Sequence, residues 1–119
     1  MKLVITSEGE SLQSPVDPRF GRAKFFVVID TETQVVTAIQ NAVNLNAIQG
    51  AGIQAGKTIV ELGIKSLITG HIGPKAFATL QSGNVEVYTG ATGTVADTVE
   101  QLKNGQLKKA QSADVEGHH

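Results

Sequence analysis

The feature that most constrains this chain is a short glycine pattern that occurs twice, each time between an apolar run and a helical pattern. The first copy is Thr-Gly-His-Ile-Gly at residues 69–73, and the second is Thr-Gly-Ala-Thr-Gly at residues 89–93. Pro74 follows the first copy, and proline suits the first position of a helix because its φ is already helical and no useful N–H is lost. The repeat therefore predicts two successive units of strand, turn and helix, which are typical of an α/β sheet.

Both turns are expected at one edge of the sheet, because the carboxyl ends of parallel strands share an edge. A helix that starts there directs unpaired N–H groups and the positive end of its dipole towards whatever lies above that edge. Gly50 and Gly52 precede a third helical pattern and are expected at the same edge. Together these turns predict a site for an anion or another polar ligand. Taken singly, each glycine is explained by a tight connection between strand and helix.

The order of elements along the chain is predicted to be β, β, β, α, β, α, β, α. Apolar runs predict strands at 3–5, 24–30, 34–40, 67–68 and 85–88, and helical spacing predicts helices at 53–62, 74–81 and 94–104. The simplest arrangement is a five-stranded mixed sheet of order 3-2-1-4-5 with strand 2 antiparallel and three helices, a ribonuclease H-like topology. We expect residues 1–105 to form a single α/β domain and residues 106–119, which lack periodicity, to form a flexible tail.

Composition excludes several classes of site and partner. The chain has 119 residues and no cysteine, so it cannot supply disulfides, thiolate nucleophiles or cysteine-ligated metal centres. Its formal net charge of −1 gives no general attraction to nucleic acid or to an anionic membrane. The first residues turn polar too early for a signal peptide. We therefore expect a cytoplasmic protein that binds neither nucleic acid nor membranes.

Four side chains near the predicted edge carry chemistry. Arg19 and Arg22 flank a Phe-Gly pair after the first strand, and guanidinium groups suit multi-oxygen or multi-sulfur anions. The alternative is a pair of surface charges that bond loop carbonyls or Asp17. His71 lies between the glycines of the first turn, either as a ligand or as an exposed polar residue. Lys75 stands in the first turn of a helix, where the dipole favours acids, so it indicates an anionic partner.

Evidence for catalysis is weak in the sequence. A nuclease with this topology needs carboxylates on the first strand and its neighbours to hold two metals, and residues 2–6 contain none. No Ser/His/Asp arrangement stands in a motif context, and no aromatic platform for nucleic acid is present. We therefore expect a protein that is not an enzyme.

Four segments, taken in order, resemble one known family. They are Arg-Phe-Gly-Arg-Ala at 19–23, Gly-Ala-Gly at 50–52, Ile-Thr-Gly-His-Ile-Gly-Pro-Lys-Ala at 68–76 and Gly-Ala-Thr-Gly-Thr-Val at 90–95. This combination resembles the dinitrogenase iron–molybdenum cofactor biosynthesis family, which includes carriers of nitrogenase cofactor precursors and the small orange proteins of sulfate reducers. The resemblance implies a ribonuclease H-like fold and non-enzymatic binding of a preformed metal–sulfide cluster, of the iron–molybdenum or molybdenum–copper type.

The resemblance and the edge residues together define one candidate site. The candidate cofactor-binding residues are Arg19, Phe20, Gly21, Arg22, Gly50, Gly52, Gly70, His71, Ile72, Gly73, Lys75, Gly90, Thr92, Gly93 and Thr94, and His71 is also the candidate metal ligand. By the same resemblance, the two arginines and Lys75 would balance the charge of a cluster. The expected partners are a protein that donates or accepts the cluster and, at most, a second copy in a weak dimer.

Two other classes of function stay open at this point. One is an enzyme or binding protein for a phosphorylated metabolite or nucleotide at the same edge. The other is a protein-interaction module in which the glycine turns are structural only. His118 and His119 could be native or added residues, and no role is assigned to them.

Overall fold

The structure is a computed structural model that describes residues 1–41 and 51–113. The described chain forms six strands and three helices in one mixed α/β arrangement. The elements, in chain order, are β1 (Lys2–Ser7), β2 (Phe25–Asp30), β3 (Val36–Gln40), α1 (Ala51–Glu61), β4 (Ser66–Ile68), α2 (Pro74–Ser82), β5 (Glu86–Thr89), α3 (Val95–Lys103) and β6 (Lys108–Lys109).

The sheet has the order β3-β2-β1-β4-β5-β6. The strands β1, β4 and β5 are mutually parallel, with Val4 opposite Leu67 and Leu67 opposite Val87. The strand β2 is antiparallel to both β1 and β3. The predicted mixed sheet, its order through the first five strands and its antiparallel strand 2 are therefore confirmed, and the carboxyl ends of β1, β4 and β5 share an edge.

The prediction of five strands is wrong, because β6 adds a sixth. This strand pairs with β5 in antiparallel fashion, and the Ala110 N–H next to it donates to the Val87 carbonyl at 2.8 Å. Lys109 Nζ also lies 3.2 Å from Glu86 Oε1. A strand of two lysines is too short and too polar to give an alternating pattern in the sequence. Its strand conformation therefore depends on pairing with β5.

Side chains that alternate along the strands make two cores, one on each face of the sheet. Val4 and Leu67 join the core under α1 and α2, whereas Leu3, Ile5 and Ile68 join the core under α3. Continuous apolar runs are expected in strands covered on both sides, which explains why β1 and β4 do not alternate in sequence. The two glycine turns therefore lead to helices on opposite faces of one sheet.

The helix ends follow local signals with small shifts. The described part of α1 covers Ala51–Glu61, against a prediction of 53–62, and Gly63 follows it with a left-handed φ of 73°. The helix α3 begins at Val95, and Thr94 and Asp97 form a capping box at its start. None of the helices in the described ranges is long and apolar enough to cross a membrane.

The sixth strand generates a first prediction. Replacing Ala110 with proline removes the N–H that donates to Val87 while leaving the rest of the chain unchanged. We expect the free energy of unfolding in urea to fall by about 1–2 kcal/mol, since the bond is lost and a carbonyl loses its partner. The control is Ser112→Pro at an exposed position, which should change stability by less than about 0.5 kcal/mol. Equal losses in both variants would show that β6 contributes nothing.

Candidate functional site

The loop that follows β1 crosses the carboxyl edge of the sheet and is held there by backbone hydrogen bonds. The Asp17 N–H donates to the Thr6 carbonyl at 2.9 Å, and the His71 N–H donates to the Pro18 carbonyl at 2.7 Å. Arg19 and His71 form a parallel β-bridge. The loop that carries Arg19 and Arg22, called the arginine loop below, therefore meets the first glycine turn through backbone contacts, as predicted.

Glycines allow three segments to approach one another closely beside this bridge. A Cβ on Gly70 would lie 2.7 Å from the Pro18 Cα, and one on Gly21 would lie 2.7 Å from the Gly52 backbone nitrogen. A Cβ on Gly52 would in turn lie 3.0 Å from the Ala76 Cβ. The distances at Gly70 and Gly21 are shorter than real Cβ contacts, so these two glycines are needed for packing between segments of the chain itself, whereas a side chain at Gly52 would require Ala76 to move slightly.

A buried polar cluster supports the loop from below. Thr6 Oγ1 donates to the Asp17 carbonyl at 2.7 Å and lies 2.9 Å from Thr69 Oγ1, and all three residues are almost completely buried. Buried hydroxyls need such partners, because an unpaired one costs free energy. Sequence analysis missed this cluster. Its only signals were Thr6 at the end of an apolar run and Thr69 at the head of a glycine turn.

Asp17 also fixes the position of Arg19. The Arg19 N–H donates to Asp17 Oδ1 at 3.0 Å, and Arg19 Nε lies 3.7 Å from the same oxygen. The carboxylate side chain is 2% exposed, whereas the guanidinium side chain is 65% exposed. Arg19 therefore forms an ion pair with Asp17, and its role towards a ligand stays a prediction. The pairing leaves most of the guanidinium accessible, and Arg22 nearby is half-buried.

The start of α2 has backbone hydrogen-bond donors that meet no acceptor within residues 1–41 and 51–113. Gly73 caps the helix in an extended conformation without a side-chain hydrogen bond, and Pro74 occupies the first position. Among the described residues, no acceptor meets the backbone N–H of Lys75 or Ala76. His71 and Lys75 have exposed side chains beside this helix start. Unpaired donors at a helix N-terminus favour a negative group.

The start of α3 differs, because the chain itself occupies its donors. The Val95 and Ala96 N–H groups donate to the carbonyls of Ser14 and Leu12, both at 2.9 Å, and the Asp97 N–H donates to Thr94 Oγ1 at 3.1 Å. The expectation that all the glycine turns offer free N–H groups is therefore wrong for the second turn. The polar loop before Val16 folds onto α3 and supplies carbonyls where an anion was expected.

The predicted site residues accordingly fall into separate groups. Backbone contacts bring together one group of five residues, which are Arg19, Gly21, Gly52, Gly70 and His71. Gly73 and Lys75 belong to the same group because they lie at the start of α2, directly after His71. Gly90 meets them through its N–H, which donates to the Gly70 carbonyl at 3.0 Å, whereas Thr92, Gly93 and Thr94 lie at the start of α3.

Two of the predicted residues that the structure describes do not offer a side chain to a ligand. Phe20 is 2% exposed and Ile72 is 1% exposed, and both side chains belong to the core under α1 and α2. Gly50 lies outside the described residues. Within residues 1–41 and 51–113, no group of three His, Asp or Glu side chains is arranged to hold a metal ion, so ligation by His71 stays a prediction.

One protein family matches most of the chain. The family described as "Dinitrogenase iron-molybdenum cofactor" matches residues 1–105. The chain belongs to this family. The match confirms the resemblance seen in the four sequence segments, and it covers both glycine turns and the arginine loop.

Solved structures and a curated relative support membership of the dinitrogenase cofactor family. The apo form of the orange protein from Desulfovibrio gigas superposes with a TM-score of 0.92 at 36% identity, over 96% of each chain. A putative NifB protein from Thermotoga superposes with a TM-score of 0.81 at 30% identity, over 96% of this chain and 98% of that one. An uncharacterised protein of Methanocaldococcus jannaschii is 25% identical over 112 residues, which are 92% of this chain and 91% of the relative.

The contact between Gly70 and Pro18 gives a second prediction. The methyl group of Gly70→Ala would lie 2.7–2.8 Å from backbone atoms of Pro18, so the arginine loop would have to shift. We expect a loss of about 1–3 kcal/mol in the free energy of unfolding. In the control, Gly9→Ala, the added methyl meets mainly the Ser14 side chain, which can rotate, so the loss should be smaller. A Gly70→Ala protein as stable as the parent would contradict the close packing.

The cap of α3 gives a third prediction, which concerns pH. Asp97 accepts a hydrogen bond from the Thr94 N–H at 3.0 Å, and this bond holds the pKa of the carboxyl below its ordinary value of 3.8. A lowered folded-state pKa adds stability above the unfolded-state value, and this stability is lost as pH falls through the folded-state value. Asp97→Asn should therefore melt at a lower temperature than the parent near neutral pH, and the difference should shrink as the solution is acidified.

Thermal unfolding at a series of pH values measures that difference. Glu61→Gln removes one negative charge at an exposed position and serves as the matched control, with little change expected at neutral pH. A deficit for Asp97→Asn that stays constant down to acid pH would mean that the carboxylate charge does not stabilise the cap.

Proposed function

We propose that this protein is a non-enzymatic carrier or scaffold that binds a preformed anionic metal–sulfide cluster at the carboxyl edge of its sheet. The family description names the iron–molybdenum cofactor, and the orange protein is similar over nearly the whole chain. On this proposal the fold is of the ribonuclease H-like type, the protein acts in the cytoplasm, and another protein donates or receives the cluster. The cluster is of the iron–molybdenum or molybdenum–copper type.

The observation that carries the proposal is the position of Arg19 and His71 beside the start of α2. The β-bridge holds the two residues side by side, and the Lys75 and Ala76 N–H groups next to them have no acceptor among the described residues. The guanidinium, the Lys75 ammonium and the positive end of the helix dipole all favour a negative ligand. The occupied start of α3 offers nothing comparable, so the proposed site lies on the side of the edge that bears α1 and α2.

The residues fit a cluster that brings its own sulfide ligands. Such an anion needs N–H donors, cations and a shaped surface, and the described chain provides these without a set of protein metal ligands. Arg19, Arg22 and Lys75 would balance its charge, and His71 would either ligate a metal or donate a hydrogen bond. Gly21, Gly52 and Gly70 would act indirectly by letting the backbone segments meet.

Reconstitution under anaerobic conditions tests the proposal. Purified protein is mixed with tetrathiomolybdate and copper(I), or with an isolated iron–molybdenum cluster, and then separated by gel filtration. We expect charge-transfer absorbance and metal that stays with the protein peak. A parallel thermal-shift series with nucleotides and phosphorylated metabolites examines the competing function, because a ligand that binds the folded state raises the unfolding midpoint. Stabilisation by nucleotides with no retention of metal would overturn the proposal.

The cationic residues give a fourth prediction. Arg19→Ala combined with Arg22→Ala should weaken cluster retention at least about tenfold, since hydrogen bonds to charged groups contribute about 1.5–3 kcal/mol each. The control is Lys2→Ala combined with Lys65→Ala, which removes the same charge beside the amino ends of β1 and β4. Equilibrium binding of tetrathiomolybdate by both double variants, with urea unfolding to confirm their stability, makes the comparison. Equal loss of binding in both double variants would show that the arginines act only through the overall positive charge of the protein.

A further inference from the structure

The two edges of the sheet differ in how they are protected against pairing with another chain. The strand β6 at one edge has two residues, and both are lysines. The strand β3 at the other edge has five residues, Val-Thr-Ala-Ile-Gln, with no charge and no proline. Short edges and lysine side chains oppose association, whereas a longer uncharged edge is a template for another strand. Of the two sheet edges in the described residues, the β3 edge therefore has the properties of a pairing surface.

The hydrogen-bonding groups on the outer side of β3 can be assigned to particular residues. The Asp30 N–H donates to the Val35 carbonyl, so residue 35 faces β2, and in an antiparallel ladder alternate residues face the same way. Val36, Ala38 and Gln40 therefore direct their N–H and C=O groups away from β2. None of these groups has a partner among the described residues.

Apolar side chains accompany this open edge. Of the large hydrophobic residues that the described chain exposes, Val35 is 58% exposed and Val36 is 38% exposed at the start of β3. Met1, also 58% exposed, lies close by, because its carbonyl accepts the Thr31 N–H in the turn between β2 and β3. Exposed apolar groups that gather at one corner mark an interaction surface more often than scattered ones do.

We propose that β3 pairs with β3 of a second copy of this chain, in antiparallel orientation about a two-fold axis at Ala38. In this register Val36 lies opposite Gln40 of the second copy, and each of the three outward-facing residues both donates and accepts a backbone hydrogen bond. An isologous contact of this kind presents the same surface twice, so an edge without charges avoids repulsion at the axis.

The charges around the edge fit the antiparallel orientation. Asp30 and Glu32 lie at the turn between β2 and β3, and Lys24 lies at the opposite end of the same hairpin. Antiparallel pairing brings the Asp30 end of one copy towards the Lys24 end of the other, whereas Glu32 is already paired with the Met1 ammonium, 3.7 Å away. A net charge of −1 for the chain adds little general repulsion between copies. The inference is independent of any bound cluster.

Amide hydrogen exchange, followed by NMR at two protein concentrations, tests the pairing with an internal control. In dilute protein the outward-facing amides of Val36, Ala38 and Gln40 should exchange fast, and the inward-facing amides of Thr37 and Ile39 should exchange slowly. When about nine-tenths of the molecules are paired, exchange at the three outward positions should slow about tenfold. Equal rates at both concentrations, together with a monomer by light scattering throughout, would overturn the proposal and leave the edge to a strand of a different protein.

The register can be tested by crosslinking, because the chain has no cysteine of its own. An Ala38→Cys protein should give a covalent dimer with a short bis-maleimide reagent, since the two copies of this position lie opposite each other. Val36→Cys and Gln40→Cys proteins should crosslink efficiently only when mixed. Crosslinking at Ser112→Cys as strong as at position 38 would show random collision instead.

A charged substitution on the β3 edge tests the same pairing by weakening it. Val36→Lys adds the kind of edge protection that β6 already has, and it should weaken dimerisation at least about tenfold in sedimentation equilibrium. Leu62→Lys changes another exposed apolar residue, which is 44% exposed and follows α1 instead of lying on the β3 edge, and it should leave the dimer unchanged. Equal weakening by both substitutions would mean that association does not use the β3 edge.

Discussion

The hydrogen bond from the His71 N–H to the Pro18 carbonyl is the contact on which the carboxyl edge depends. It joins the loop after β1 to the turn after β4, and the lack of a side chain on Gly70 lets the two backbones approach. Thr6, Asp17 and Thr69 complete the joint below it with buried hydrogen bonds. The loop therefore crosses from the face that bears α3 to the face that bears α1 and α2 along a defined path.

That path explains why two turns with the same glycine pattern have different properties. Every helix begins with N–H groups that lack partners in the helix, and these groups must find acceptors. The segment before Val16 passes α3 and supplies the Ser14 and Leu12 carbonyls, so this helix start is closed. The segment after Val16 passes α2 and presents Arg19 beside His71, while the donors of Lys75 and Ala76 are left without acceptors in the described chain. One loop thus closes one helix start and supplies a cation to the other.

The fold followed from the sequence to the extent that its signals were local. Apolar runs and glycine ends located the strands and helices, and the repeated turn led to the parallel part of the sheet. Lys108 and Lys109 gave no such signal, because their strand depends on Glu86–Thr89 as a template. The grouping of Arg19 with His71 was predictable, since both follow strands that end at one edge. The closure of α3 was not, because the polar loop from Glu8 to Pro15 has no periodicity that indicates where it folds.

At the carboxyl edge of the sheet the backbone is fixed, whereas several side chains that it carries are exposed and can differ between family members. The main chain at Arg19 and His71 is held by buried bonds and close glycine contacts, yet the side chains of Arg19, His71 and Lys75 extend from it without contributing to the core. Replacing His71 or Lys75 would alter the charge and chemistry of the surface with little loss of buried contacts, whereas replacing Arg19 would also remove the ion pair of the buried Asp17 carboxylate. Under the proposed function, relatives with the same backbone would differ in the anions that they bind through the residues at these few positions.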